Sequence, residues 1–96
     1  MAKEFIMRRI LRKLINLDMW GGKHTEETNL KKCIPKHLRG EKVTNEAIKD
    51  LIGLEFLYFK TSTHEKHFSL NPRKKKEIYE FLRDKEIQDI NKKDYI

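Results

Sequence analysis

The pattern of hydrophobic and polar positions is most regular between residues 44 and 70, where it predicts a short helix followed directly by a β-hairpin. Four apolar residues recur at i, i+1, i+4 and i+5 and therefore share one helical face, with Thr44 placed as the N-cap. These residues are Ala47, Ile48, Leu51 and Ile52. Two strands are predicted over 56–60 and 66–70, because the first is aromatic and apolar and the second alternates. Small or polar residues at 61–65 predict the turn between them.

Two helices are predicted before this unit, over residues 3–17 and 25–33. In the first, apolar side chains cover about half of the helical wheel, which is more than a small core needs. We therefore expect part of that stripe to meet a second subunit. The segment from Leu17 to Gly22 is expected to end this helix, because its paired glycines allow positive φ.

The second helix is predicted to be capped by Thr25 and to end before Pro35, which cannot donate the helical hydrogen bond. A last helix is predicted to begin with Asn71 as its N-cap and Pro72 at its first helical position. Its apolar face changes direction after residue 84. Residues 85–96 are therefore interpreted as a helical extension, with a second face for dimerisation, or as a frayed tail.

Basic residues outnumber acidic ones in this chain. It has 22 Lys and Arg against 15 Asp and Glu, which gives a formal net charge of +7 and a pI of about 9.6. Such a balance favours polyanionic partners, because each phosphate that a protein neutralises releases condensed counterions, although it also serves solubility alone. The 96 residues predict a single domain with its core within residues 3–84.

The cellular location is predicted from cysteine content and hydropathy. A single cysteine, Cys33, excludes an internal disulfide bond and favours a reducing compartment. No apolar run approaches the roughly 20 residues that a bilayer-spanning helix needs, and arginines interrupt the N-terminal segment. The chain is therefore expected to be intracellular, cytoplasmic and nucleoid-associated, with no membrane partner.

Four short motifs give the chain a resemblance to a known family. They read Gly22-Lys23-His24-Thr25, Ile34-Pro35-Lys36-His37-Leu38-Arg39-Gly40, Ala47-Ile48-Lys49-Asp50-Leu51-Ile52 and Ser69-Leu70-Asn71-Pro72. In this combination, over residues 22–82, the sequence resembles the small winged-helix domains of archaeal DNA-binding proteins. The resemblance implies a winged helix-turn-helix fold, DNA binding and a role in transcription. The predicted element order agrees with that fold: mainly α with a β-hairpin, running helix, helix, helix, strand, strand, helix.

The predicted DNA-binding residues lie on the helix that begins at Thr44, on the cation-rich segment before it and at the hairpin tip. In the major groove, Asn45 is suited to adenine and Lys49 to guanine. Because the helix also carries acids, phosphate anchoring is assigned to the flanking cations and the hairpin tip. The complete set is Lys31, Lys32, Lys36, His37, Arg39, Lys42, Thr44, Asn45, Lys49, Ser62, Thr63, His64 and Lys66.

Other chemistry is not supported by the sequence. Two groups of residues are considered as metal ligands, and neither has the spacing of a metal site. One is His64 with His67, and the other is His24 with Cys33 and His37. No metal or cofactor is therefore predicted. Without a phosphate-binding glycine loop or a nucleophile beside a base, the chain is not expected to be an enzyme.

Two functions remain. The first is sequence-preferring binding of double-stranded DNA in transcriptional regulation, by a homodimer paired through the first and last helices. The second is a protein-interaction module that uses the same surface without DNA.

Overall fold

A computed structural model of the chain describes residues 2–62 and 64–83. It is mainly helical with one small antiparallel sheet, which confirms the prediction of a mainly α chain with a β-hairpin. The helices are α1 (Ala2–Asn16), α2 (Glu27–Leu30), α3 (Lys42–Gly53) and α4 (75–83), and the strands are β1 (Thr25–Glu26), β2 (Leu57–Ser62) and β3 (Glu65–Leu70). Short 3₁₀ turns cover Lys31–Cys33, Lys36–Leu38 and Pro72–Lys74. The predictions made for Thr63 and for residues 85–96 lie outside the described residues.

Helix α1 lies across the centre of the core. Its apolar side chains recur every three or four residues and pack against residues of α3, the sheet and α4. The buried core consists of Ile6, Met7, Ile10, Leu11, Leu14, Leu30, Ile34, Ala47, Ile48, Leu51, Phe56, Leu57, Phe68, Leu70, Ile78 and Leu82. Ile15 and Leu17 are only half-buried. Most of the wide stripe that was expected to meet a second subunit is therefore used within the chain.

The end of α1 lies where it was predicted, but it is closed by a residue that is not glycine. Asp18, with φ 57°, takes the left-handed position, and the N–H groups of Asp18 and Met19 each donate to a carbonyl in the last turn of α1 at 3.0 Å. The helix thus ends within the predicted segment 17–22, but a Schellman motif at Asp18 closes it and the paired glycines do not. Gly21, with φ 62°, makes a later turn in which its N–H donates to the Leu70 carbonyl at 2.9 Å.

The predicted second helix is shorter than expected, because its first residues belong to a strand. Thr25 and Glu26 form β1, where Thr25 pairs with Phe68 of β3. The Thr25 hydroxyl accepts a hydrogen bond from the Asn29 side chain at 2.8 Å, and the N-cap is Glu26, without a side-chain cap. The prediction of Thr25 as a cap is therefore wrong. The edge of β3 offers backbone partners that a local helix signal cannot anticipate.

The sheet has the order β1-β3-β2, so that β3 is its central strand. Ser62 pairs with Glu65, so both strands of the hairpin continue to these two residues. The turn is tighter than the predicted 61–65, and His64 occupies a left-handed conformation with φ 66°. The hairpin consequently extends its strands almost to its tip.

Helix α3 begins before the predicted cap. Its N-cap is Glu41, and Thr44 lies within the first turn, fully buried, with its hydroxyl donating to the Leu38 carbonyl. Thr44 was predicted both to cap this helix and to contact DNA, and both predictions are wrong because the side chain is used inside the fold. Asn71 was predicted correctly: its side chain accepts a hydrogen bond from the Arg73 N–H at 3.0 Å at the start of the last helical segment.

Within the described residues, no helix combines the length and apolar character needed to cross a membrane.

Candidate nucleic-acid interface

A first depression lies between α3 and the hairpin. Its volume is about 540 Å³, and Asn45, Lys49, Lys66 and Glu27 line it together with apolar residues of α3 and the sheet. Asn45 and Lys49 are one helical turn apart and both are exposed, because the opposite face of α3 is packed in the core. The two side chains that were predicted to read bases therefore lie side by side on one wall of a groove.

A second depression lies between α2 and the hairpin tip. Its volume is about 790 Å³. It brings together five of the predicted residues, which are Lys31, Lys32, Arg39, His64 and Lys66. Two carboxylates, Glu27 and Glu65, line it as well. Lys66 and Glu27 line both depressions, so the two are neighbours along one side of the hairpin.

Ion pairs moderate the acidic character of α3. Asp50 accepts from the Lys3 ammonium of α1 at 2.8 Å, and this hydrogen bond raises the pKa of Lys3. Glu46 lies 3.9 Å from Lys42 on the same helix. Neither acid lines the groove beside the hairpin, so the wall formed by Asn45 and Lys49 carries no α3 carboxylate among the described residues.

The predicted cations differ in how they are held. The Lys31 ammonium lies 2.9 Å from Glu27. Arg39 braces the turn before α3, because its guanidinium donates to the carbonyls of Ile34 at 2.8 Å and Lys32 at 3.3 Å. The Lys32 side chain is exposed, and so is Lys66. The exposed lysines are therefore the better placed to contact phosphate.

The structure does not bring every predicted residue to this surface. Lys36, His37, Lys42 and Ser62 are exposed but line neither depression. They lie on the turn before α3, in the first turn of α3 and near the hairpin tip. In sequence they are therefore close to residues that line the depressions.

Apolar residues in the first depression were not predicted from the sequence. Ile52 and Phe59 line the first depression, and Phe59 is 48% exposed although it is aromatic. Phe59 pairs with Phe68 across the hairpin, and residues paired in this way point to the same face of the sheet. The alternation of the strands could have placed Phe59 on the same face of the sheet as Lys66, but only if the pairing of β2 with β3 had been known.

The histidines are arranged in a way that the sequence did not indicate. The Nδ1 atoms of His24 and His67 are 3.1 Å apart, although the residues are 43 positions apart in the chain. Within the described part of the chain, no three His, Cys, Asp or Glu side chains come together as a metal site would require. His64 and His37, the other histidines that were considered, are exposed.

The surface predicted for dimerisation contains an open groove. It has a volume of about 750 Å³ between α1 and α4. Ile15, Tyr79 and Leu82 give it apolar walls, and Arg12 and Arg83 are at its border. Pairing through the first and last helices stays a prediction.

No protein-family model, curated protein or solved structure gives a significant match to this chain.

Proposed function

We propose that this chain is a winged helix-turn-helix domain that binds double-stranded DNA and acts in transcriptional regulation. The element order supports the fold: α1, β1, α2 and α3 are followed by the hairpin β2-β3 and by α4, with β3 central in the sheet. In this proposal α3 enters the major groove and the hairpin is the wing.

One observation carries the proposal. Lys66 on the hairpin lines both depressions, and it thereby joins the base-reading residues Asn45 and Lys49 to the cations at the end of α2. A duplex lying along this side of the hairpin would meet hydrogen-bonding side chains and phosphate-binding cations at once. Base contacts carry specificity and phosphate contacts fix position, so both kinds are needed on one surface.

The affinity of charge-reversal variants for duplex DNA tests the proposal. Lys32→Glu and Lys66→Glu should each weaken binding, to a similar extent on all sequences, because phosphate contacts carry no base information. Lys23→Glu is the matched control: it makes the same change of charge at an exposed lysine, in the loop between α1 and β1. Fluorescence anisotropy with labelled duplexes measures all three. Equal losses in all three variants would show only a non-local charge effect, and unchanged binding in Lys32→Glu and Lys66→Glu would refute the surface.

Base reading is tested separately. Asn45→Ala should reduce the preference between a favoured and an unfavoured duplex by about 1–3 kcal/mol, the usual discrimination of a bidentate contact to adenine. Binding to a random duplex should change little. An Asn45→Ala variant that keeps the wild-type preference would leave the DNA-binding proposal in place and remove Asn45 from base reading.

We also propose that the domain pairs as a homodimer through α1 and α4. Two α3 helices about 34 Å apart would then match successive major grooves and favour a palindromic site. Light scattering of the free protein and of its complex with a palindromic duplex gives the stoichiometry. One chain per duplex would contradict this part of the proposal.

Protein docking is the second candidate, and the apolar floor of the first depression favours it. Ile52 and Phe59 expose apolar surface next to charged groups, as protein-binding sites often do. An NMR titration with duplex DNA separates the two functions. If the amide signals of residues 45–52 and 64–68 do not move, the surface does not bind DNA and the docking function is favoured.

A further inference from the structure

His24 and His67 form a closely packed pair on the side of the sheet that points away from α3. Phe68 is buried in the core, and successive strand residues point to opposite faces, so His67 faces the other way. The two imidazole rings meet edge to face at 88°, with their centroids 4.8 Å apart and their Nδ1 atoms 3.1 Å apart. Such a contact is a hydrogen bond only while at least one ring is neutral, because an imidazolium has no acceptor nitrogen.

A small pocket, which we call the histidine pocket, opens beside this pair. Its volume is about 240 Å³, and its walls include the loop at Gly22, both imidazoles, Lys60 and Ser69. Lys60 is the partner of His67 in the hairpin register, so its side chain lies on the same face of the sheet. This volume accommodates a tetrahedral oxyanion with several oxygens facing different walls.

The electrostatics of the histidine pocket favour an anion over a metal ion. Burial lowers the pKa of His24, and the positive charge of Lys60 and the proximity of His67 lower it further. Glu26, the partner of His67 on β1, shares this face of the sheet on the side of His67 opposite to Lys60, but it does not line the pocket, and neither does any other carboxylate of a described residue. A metal cation would be repelled by Lys60, whereas an anion would be attracted by it and by each added proton.

We propose that the histidine pocket binds a small tetrahedral dianion, such as the phosphate group of a free phosphomonoester, and takes up protons as it binds. Protonation of both rings removes the hydrogen bond between them, and an anion between the imidazoles and Lys60 compensates the repulsion of the three positive charges. The site lies on the opposite face of the hairpin from Lys66, so this proposal does not depend on the DNA-binding function.

Sulfate is the probe, because it remains a dianion throughout the range in which histidine titrates, so any change of affinity with pH reports the protein. Its binding is measured by NMR titration of the imidazole signals, with ionic strength held constant by chloride. From about pH 7.5 to about pH 5.5 the affinity should rise about tenfold or more, because the pair gains positive charge. Lys60→Ala should weaken sulfate binding about tenfold at the lower pH. Replacing both His24 and His67 by glutamine should remove the pH dependence, since glutamine does not titrate.

Two control variants make the result specific. Lys66→Ala removes a lysine from the same hairpin but from its other face, and His37→Ala removes an exposed histidine. Both should leave sulfate affinity unchanged. A pH-independent affinity, or an equal loss in Lys60→Ala and Lys66→Ala, would overturn the proposal.

The same variants distinguish this proposal from the DNA interface. Lys66→Ala should weaken duplex DNA binding and retain sulfate binding, and Lys60→Ala should do the reverse. If Lys60→Ala weakened DNA binding as strongly as Lys66→Ala, the pocket would be a contact for the DNA backbone and the proposal of a free dianion would be wrong. If neither variant affected DNA binding while the sulfate results held, the DNA interface alone would be refuted.

Discussion

Replacing Asn71 by alanine should lower the free energy of unfolding by more than the loss of one surface hydrogen bond would. Its side chain is 4% exposed and makes three hydrogen bonds. It accepts from the Arg73 N–H at 3.0 Å and from the Tyr58 hydroxyl at 2.7 Å, and it donates to the Glu55 carbonyl at 2.8 Å. Asn71 thus ties the end of α3 and the start of β2 to the segment that leads into α4.

The expected cost follows from these three bonds. Loss of an asparagine N-cap costs about 1 kcal/mol. The bond to the Glu55 carbonyl adds about 1 kcal/mol, and the bond from the half-exposed Tyr58 adds about 0.5 kcal/mol. Asn71→Ala should therefore reduce the free energy of unfolding by about 2–3 kcal/mol.

Urea denaturation at constant m-value measures this change. Asn71→Ser is the matched control, because serine keeps the capping oxygen but is too short for the other two partners. It should recover about 1 kcal/mol relative to Asn71→Ala. A double-mutant cycle with Tyr58→Phe should give a coupling of about 0.5 kcal/mol. An Asn71→Ala variant that loses less than about 0.5 kcal/mol would refute the reasoning that these bonds are net stabilising.

Four further predictions concern helix ends and titratable groups. Gly53→Ala should stabilise the protein by about 0.5–1 kcal/mol, since alanine favours the helix and its Cβ would meet no atom within 4 Å. Glu55→Gly should stabilise it by a similar amount, because Glu55 has φ 64° and glycine adopts that left-handed conformation without strain. Thermal unfolding that shows destabilisation by either substitution would contradict this. The pKa of His24 is lowered in the folded protein, so its contribution to stability is complete above the ordinary value of 6.5 and is lost as the pH falls through the lowered pKa. His24→Gln should therefore show a smaller decrease in unfolding free energy below pH 6.5 than the wild type, and parallel pH profiles would refute the assignment. Burial raises the pKa of Cys33, so its thiol should react with a disulfide reagent more slowly in the folded protein than in urea, and equal rates would contradict its burial.

The sequence predicted those parts of the fold that depend on local signals. Helix α1 carries its periodicity in its own residues, and Asn71 followed by Pro72 is a local start signal, so both were predicted correctly. The two αL positions that end α1 and α3 are occupied by Asp18 and Glu55, which are not glycines. The sequence located the end of α1 near Leu17, but it did not show that Asp18 closes the helix, because residues other than glycine rarely adopt a positive φ.

Other features depend on contacts between distant residues. Thr25 forms a strand only because β3 offers it an edge, and Thr44 is buried only because the turn before α3 brings the Leu38 carbonyl to its hydroxyl. The pairing of His24 with His67 needs the folded sheet. For the candidate interface, residue types predicted the cations, but the arrangement of these residues around Lys66 required the hairpin register.

The salt dependence of duplex DNA binding tests the central proposal most directly. If exposed cations around the two depressions contact phosphates, log affinity should fall linearly with log salt concentration, at about 0.9 per phosphate contacted. Lys66→Gln should lower that slope by about 1, whereas Lys23→Gln should not change it. An affinity that does not depend on salt, or a slope that Lys66→Gln leaves unchanged, would contradict DNA binding by this surface.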